Sequence, residues 1–184
     1  GKIIAGTRAK KVHSKSFNAF DSINYPPVAV VQDGRLINYI KEERVSARPD
    51  FYLNFDSKVF VLKLVPGLNS RAISALSDFF DAFIIEGFGV GGVPVYKDMD
   101  FVGAIEGLLQ CGKTVVMTTQ VMLEGSDMTV YQVGREIKSS LDLIEAYDMT
   151  TKAVVTKLMW ILGLTGDRNE IKRLFYTPVS KDIL

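Results

Sequence analysis

Short runs rich in apolar residues alternate with longer amphipathic segments along most of the chain. Residues 59–62, 82–85 and 113–117 are such runs, and each predicts a buried strand. The segments between them, residues 72–80 and 98–110, carry apolar side chains at helical spacing. Continuous apolar strands alternating with amphipathic helices are typical of a parallel sheet. The pattern therefore predicts an α/β fold, a flavodoxin-like or Rossmann-like parallel sheet with helices on both faces.

Two further helices are predicted near the end of the chain. Residues 151–162 place their apolar side chains on one helical face, and Gly163 follows as a C-terminal cap. Asp167, followed by Glu170, resembles a capping box that begins the second helix, and Pro178 ends that helix.

Residues 1–40 differ from the rest because they lack a core of their own. Asp33-Gly34 lies between two apolar runs and predicts a hairpin, but a hairpin with one further strand is not stable alone in water. We interpret residues 1–40 as the tail of a domain whose beginning is missing, and the polar residues 41–57 as a boundary before the regular pattern that follows.

Composition and charge exclude several classes of protein. Hydrophobic residues make up 47% of the 184 residues, which is typical of a globular chain, and 22 Lys and Arg balance 21 Asp and Glu. This balance disfavours a nucleic acid or a membrane surface as partner. The single cysteine excludes a disulfide framework and, since no signal-peptide pattern follows Gly1, we expect a cytoplasmic protein.

A glycine-rich segment follows the second predicted strand. Residues 87–92 match G-x-G-x-x-G, the fingerprint of a dinucleotide site, in which a helix opens at the third glycine. Residues 93–96 intervene here before any helical pattern, so a flexible or tightly packed loop at the carboxyl edge of the sheet is favoured. Asp127 follows the third strand at the same edge, as either a ligand-facing residue or a turn residue.

Other candidate residues are few. His13 is the only histidine and is interpreted as a surface residue, and Cys111 as a small packing residue. Lys10 and Lys11 are candidate bases, since a lysine among other cations can lose its proton near neutral pH; the residues alone do not choose between them. No cofactor or metal site is predicted, because the acidic residues lack the spacing of metal ligands: Glu42, Glu43, Asp98, Asp100 and Glu106.

Several motifs, in order, resemble the carboxyl-terminal part of a type I L-asparaginase from bacteria or archaea. The resemblance extends from about Lys2 to Pro178. The matching stretches are residues 20–27 (Phe-Asp-Ser-Ile-Asn-Tyr-Pro-Pro), 86–89 (Glu-Gly-Phe-Gly), 118–120 (Thr-Thr-Gln), 127–135, 148–151 and 156–163.

The resemblance implies a two-domain α/β amidohydrolase that converts L-asparagine to L-aspartate and ammonia through a threonine acyl-enzyme. It also implies that residues 1–40 are the tail of the larger, catalytic α/β domain, residues 41–57 the linker, and residues 58–184 the smaller domain. The family's two threonine motifs and its aspartate are absent from these residues, so we expect the nucleophile outside this chain and no activity from the chain alone. The family's catalytic lysine falls on Lys11. Asp127 and Tyr131 lie in the region that the family places near the substrate, commonly that of a neighbouring subunit, so a homodimer or homotetramer is expected.

Two departures and two alternatives accompany this interpretation. Some type I members bind a second asparagine as activator, and the three positions aligned with that site, Lys10, Glu86 and Val121, all differ here. An asparagine that homologous secreted enzymes place over the substrate aligns with Pro66. The alternatives are the amidase subunit of a tRNA-dependent amidotransferase and a non-catalytic binding or assembly module.

Overall fold

The computed structural model describes residues 1–41, 48–94 and 99–184. The linker predicted at residues 41–57 lies partly outside the described residues, as do Glu42, Glu43 and Asp98 and the end of the segment 93–96.

The N-terminal part consists of short antiparallel strands. They are β1 (Lys2–Ile3), β2 (Ala9–Lys11), β3 (Phe20–Ser22), β4 (Ala29–Gln32) and β5 (Arg35–Asn38). The order β1-β4-β5 forms one sheet, and β2 and β3 form a separate two-stranded ribbon. The hairpin predicted at Asp33-Gly34 is confirmed: both residues have positive φ, 51° and 72°, and Val31 pairs with Leu36 across it.

The later part of the chain is built on one parallel sheet. Its strands are β6 (Val59–Lys63), β7 (Ala82–Gly87), β8 (Thr114–Thr119) and β9 (Ile144–Glu145). They lie in chain order, β6-β7-β8-β9, without the reversal of strand order found in doubly wound sheets. The three predicted strands and the parallel sheet are confirmed; β9, with two residues, is too short to give a pattern.

Helices cover both faces of this sheet, as predicted. The helices are α1 (Arg71–Ala75), α2 (Phe101–Gln110), α3 (Gln132–Ser140), α4 (Thr151–Leu164) and α5 (Arg168–Tyr176). Successive strand residues point to opposite faces: Phe83 and Ile85 pack with α1, α2 and α3, whereas Ile84 packs with α4 and α5. Separate apolar clusters thus cover the two faces of the sheet, and the loops that follow the strands lie at its carboxyl edge.

Side-chain caps fix where three helices begin. Asp100 accepts a hydrogen bond from the backbone N–H of Gly103 (2.7 Å), and Thr150 accepts one from Ala153 (3.2 Å). The cap predicted at Asp167 is confirmed, since its carboxylate accepts from the N–H of Glu170 at 2.8 Å.

Three local predictions were wrong. Gly163 lies inside α4 rather than capping it, and its missing side chain leaves room for the backbone of Asn54. Helix α1 ends at Ala75, which leaves Phe79 exposed instead of on a buried helical face. Cys111 is exposed, because it lies beyond the last turn of α2 rather than in the core.

Among the described residues, no helix combines the length and the apolar character needed to cross a membrane.

Candidate functional site

The β2–β3 ribbon carries both candidate lysines. Lys10 lies opposite Asp21 and Lys11 opposite Phe20 in the antiparallel register. Lys10 is half-buried, while Lys11 is exposed and, within the described residues, makes no ion pair or side-chain hydrogen bond. The ammonium group of Lys11 therefore remains free to contact groups outside this chain.

Asn24, in the stretch that carries the family resemblance, ties this ribbon to the sheet. Its side-chain N–H donates to the carbonyl of Asp148 at 3.0 Å, and its Oδ1 accepts from the N–H of Glu124 at 2.8 Å. Asn24 adopts positive φ, 53°, a conformation that asparagine tolerates better than most residues. The first part of the chain is thus held against the loops at the carboxyl edge of the parallel sheet.

A cavity of about 230 Å³ lies where these parts meet. It is bounded by the ribbon, the carboxyl ends of β7 and β8, and the first residues of α4. Lys10, Glu86 and Val121, the three positions aligned with the family's activator site, all line it, and we call it the activator cavity. Glu86 accepts a hydrogen bond from Thr151 Oγ1 at 2.7 Å, so its carboxylate is held at the helix start.

Charged residues of both signs line the activator cavity. Lys10 and Lys152 are among the lining residues, and the N-terminus of α4 adds a partial positive charge. The Glu86 carboxylate supplies the opposite charge. Sequence spacing could not reveal this grouping, because the lining residues are far apart in the chain.

The glycine-rich loop is tightly packed. Phe88 and Gly92 exchange backbone hydrogen bonds of 2.8 and 2.7 Å, closing residues 88–92 into a turn. Thr119 Oγ1 donates to the carbonyl of Gly89, which fixes the loop to the end of β8. The next described helix begins at Phe101, so no helix opens at the third glycine and the dinucleotide fingerprint is not formed.

Asp127 is exposed at the same edge and organises its own loop. Its Oδ1 accepts hydrogen bonds from the hydroxyl and the N–H of Thr129, at 2.5 and 2.9 Å, and these bonds lower the pKa of the Asp127 carboxyl. Its N–H donates to the carbonyl of Val90 at 2.9 Å, joining this loop to the glycine-rich loop. The predicted turn role is therefore observed, and contact with a substrate stays a prediction.

A buried carboxylate that sequence reasoning missed supports the Asp127 loop. Glu145, 2% exposed, accepts from the N–H of Met128 at 2.7 Å and pairs with Lys138 Nζ at 2.5 Å. Nothing in the sequence pattern marks Glu145, because a lone glutamate after an apolar residue ordinarily faces solvent.

The described chain does not bring all the candidate residues together. Lys11 and Asp127 lie outside the activator cavity, and exposed Tyr131 lines a separate cavity of about 170 Å³ with Gly91 and Met128. His13 is exposed, as expected, with Nδ1 at 2.8 Å from the carbonyl of Asn18. Across the described ranges, no group of three or more His, Cys, Asp or Glu side chains is arranged to hold a metal ion.

Comparison with known proteins places this geometry in a family. The glutaminase/asparaginase C-terminal domain matches residues 58–175, and the N-terminal asparaginase domain matches residues 1–45. An L-asparaginase of Thermococcus kodakarensis is 38% identical over 99% of this chain and 55% of its own length. The solved thermostable L-asparaginase from the same organism superimposes with a TM-score of 0.92 at 38% identity, covering 100% of this chain and 55% of that one.

A second kind of relative also matches nearly the whole chain. A glutamyl-tRNA(Gln) amidotransferase subunit of T. kodakarensis is 31% identical over 97% of this chain and 40% of its own length. The chain thus spans about half the length, or less, of the curated relatives it matches. The order of the matched domains, the parallel sheet and the identity across nearly the whole chain confirm the resemblance, and the chain belongs to the glutaminase/asparaginase family.

Proposed function

We propose that this chain is the C-terminal part of an L-asparaginase that hydrolyses L-asparagine to L-aspartate and ammonia. The observation that carries the proposal is the match to an L-asparaginase across 99% of the chain, together with an exposed lysine at the position of the family's catalytic lysine. The proposal on substrate, activity and assembly concerns the longer protein that contains this chain, because the chain spans 55% of the length of that relative.

In this proposal Lys11 acts as a proton carrier for a threonine outside the chain. The threonine oxygen attacks the amide carbon, the C–N bond breaks, and the leaving nitrogen takes up a proton as ammonia. Water then hydrolyses the resulting ester and releases aspartate. Lys11, as the neutral amine, lowers the barrier by accepting the hydroxyl proton as the C–O bond forms and passing that proton to the leaving nitrogen, which is general acid–base catalysis.

The proposed division of the chain follows the sequence interpretation. Residues 1–40 complete a catalytic domain, residues 41–57 link it to the second domain, and residues 58–184 form that domain. The matched family domains at residues 1–45 and 58–175 support this division. The single cysteine supports a cytoplasmic location.

Asp127 and Tyr131 are proposed to lie near a substrate site completed by a neighbouring subunit in a homodimer or homotetramer. Their exposure on one loop at the carboxyl edge supports this placement. Asp127→Ala should raise the KM for asparagine or shift the protein toward monomer on gel filtration. Asp127→Asn, which retains an oxygen acceptor for Thr129, is the matched control. If Asp127→Ala changes only the melting temperature, Asp127 is a turn residue.

A second candidate function rests on a specific observation, the 31% identity to an amidotransferase subunit over 97% of the chain. That function predicts ammonia release that depends on a partner protein and an acylated tRNA. We favour the asparaginase because its identity is higher, 38%.

Ammonia release distinguishes these functions. The 184-residue chain alone should release no ammonia from asparagine, whereas the complete protein should do so without tRNA. Activity of the isolated chain would refute the placement of the nucleophile outside it. A complete protein that acts only with tRNA would favour the amidotransferase.

A further inference from the structure

Arg8 is a fully buried cation whose contacts the reaction does not explain. Its side chain is 0% exposed. Nε donates to the carbonyl of Lys181 at 2.5 Å, and Nη1 donates to the carbonyl of Asp148 at 2.8 Å. Nη2 approaches Asp148 Oδ2 at 2.7 Å as an ion pair outside hydrogen-bond geometry. Burial of a charge is unfavourable unless it is paired and hydrogen-bonded, as here.

These contacts join three segments that are distant in sequence. Arg8 ends the 3₁₀ turn Gly6–Arg8 that leads into β2, Asp148 lies before α4, and Lys181 belongs to the C-terminal tail. The neighbouring Thr7 repeats the pattern: its hydroxyl donates to the carbonyl of Ser180 at 2.6 Å, and its carbonyl accepts from Thr150 Oγ1 at 3.0 Å. The turn Gly6–Arg8 is thus held by the C-terminal tail on one side and by the residues that precede α4 on the other.

The tail adopts an unfavourable backbone conformation where it meets this turn. Ser180 and Lys181 both have positive φ, 50° and 65°, which costs free energy in residues other than glycine. Their carbonyls are the two that Thr7 and Arg8 contact. The hydrogen bonds of the turn therefore help to hold the tail in this conformation.

The β2–β3 ribbon depends on this anchor. Each strand has three residues, and an isolated two-stranded ribbon is marginally stable in water. The ladder begins at Arg8, whose carbonyl accepts from the N–H of Ile23 at 2.9 Å, and Lys11 lies at the other end, next to the hairpin loop of residues 12–19. Lys11 and Phe20 at that end are exposed, so the described chain fixes the ribbon at the Arg8 end.

We propose that Arg8, paired with Asp148, is a positioning residue that fixes the position of the Lys11 side-chain nitrogen. This inference rests on the proposed function, because it assigns Lys11 the proton-carrying role. Arg8 contacts no reacting atom. It acts by fixing the base of the ribbon, and a small displacement of a catalytic group lowers the rate strongly, by up to about 10²-fold for 1 Å.

The test is a double-mutant cycle in the complete protein. Arg8→Met should lower kcat roughly 10- to 100-fold with little change in KM, because in this proposal Arg8 acts only through the position of Lys11. In the Lys11→Met background the same substitution should have no further effect on kcat, since its target is gone. Arg8→Lys keeps the positive charge but not the several N–H donors of the guanidinium group, so it should lower kcat less than Arg8→Met does. It replaces Arg8→Met in the cycle if that variant does not fold.

Leu158→Ala is the matched control. Leu158 is fully buried in α4 and contributes to the core on the face of the sheet that α4 and α5 cover. It should lower the melting temperature while leaving kcat unchanged below the unfolding transition.

Three outcomes overturn the proposal. If the Arg8 substitutions lower kcat by the same factor with and without Lys11, or if Leu158→Ala lowers kcat as much, Arg8 has only a structural role. If Lys11→Met itself leaves kcat unchanged, the proposed role of Lys11 fails and the inference fails with it. A loss of kcat from Arg8 that disappears without Lys11 supports the proposal.

Discussion

Gly87 distinguishes a packed glycine loop from a nucleotide-binding one. A Cβ added at Gly87 would lie 2.7 Å from Gly91 C and from Gly92 O, and 2.8 Å from Gly91 O. All three are backbone atoms of a turn closed by hydrogen bonds between Phe88 and Gly92, so they cannot move as a flexible side chain would. Ordinary contact needs a retreat of about 0.7 Å, and overpacking of this kind costs about 1–3 kcal/mol.

We therefore expect Gly87→Ala to lower the free energy of unfolding by about 2–3 kcal/mol. Gly107→Ala is the matched control: Gly107 lies inside α2, and its added Cβ would meet nothing within 4 Å. Alanine is favoured over glycine in a helix, so this control should stabilise the protein by about 0.5–1 kcal/mol.

Urea unfolding, followed by fluorescence of Trp160, the only tryptophan in the chain, measures both variants. The reasoning is refuted if Gly87→Ala lies within about 0.5 kcal/mol of the unchanged protein, the range of ordinary surface substitutions. It is also refuted if both glycine substitutions destabilise the protein equally, because then the close backbone approach does not decide the effect.

Further predictions concern stability, pH and kinetics. Asp182→Ala should cost about 3–5 kcal/mol of unfolding free energy in urea titrations, because it leaves the buried Lys157 ammonium, 2.7 Å away, unpaired; a loss under about 1 kcal/mol would contradict this. Burial alone would lower the pKa of Lys138, but hydrogen bonds to Glu145 and Tyr147 outweigh this effect and raise that pKa. Burial raises the pKa of Tyr176. Both groups hold their protons more tightly when folded, so the stability that these two groups contribute is present in full below about pH 10, and the melting temperature should fall as the pH rises above that value; a level profile through alkaline pH would refute these assignments. Lys10, Glu86 and Val121 differ from the residues that form the activator site in some type I members, so the rate should depend hyperbolically on the asparagine concentration, with a Hill coefficient of about 1. A sigmoidal curve would contradict this prediction.

The parallel sheet was predictable because its strands are buried on both faces. Such strands are continuous apolar runs. The paired residues of β6, β7 and β8 coincide closely with the predicted runs, residues 59–62, 82–85 and 113–117. The β2–β3 ribbon was not predictable, since its strands are short, mostly polar and paired across an exposed loop. Local composition contains no signal for pairing of that kind.

The candidate site was predictable only in part. The sequence pattern alone left Lys10 and Lys11 as alternatives, and the family resemblance selected Lys11. Arg8 lies in a cationic segment where solvated charge is the expected state, yet it is fully buried. Its burial depends on Asp148 and the tail carbonyl of Lys181, contacts that exist only after long-range folding. The activator cavity is likewise a product of tertiary structure.

The central claim, that Lys11 serves amide hydrolysis in the protein containing this chain, is tested most directly by kcat for asparagine in two single variants. Lys11→Met should lower kcat by about 10²–10⁴-fold with little change in KM, because it removes a general base. Lys10→Met, the adjacent lysine in the activator cavity, should have a mild effect. Equal losses from the two variants, or a larger loss from Lys10→Met, would contradict the claim.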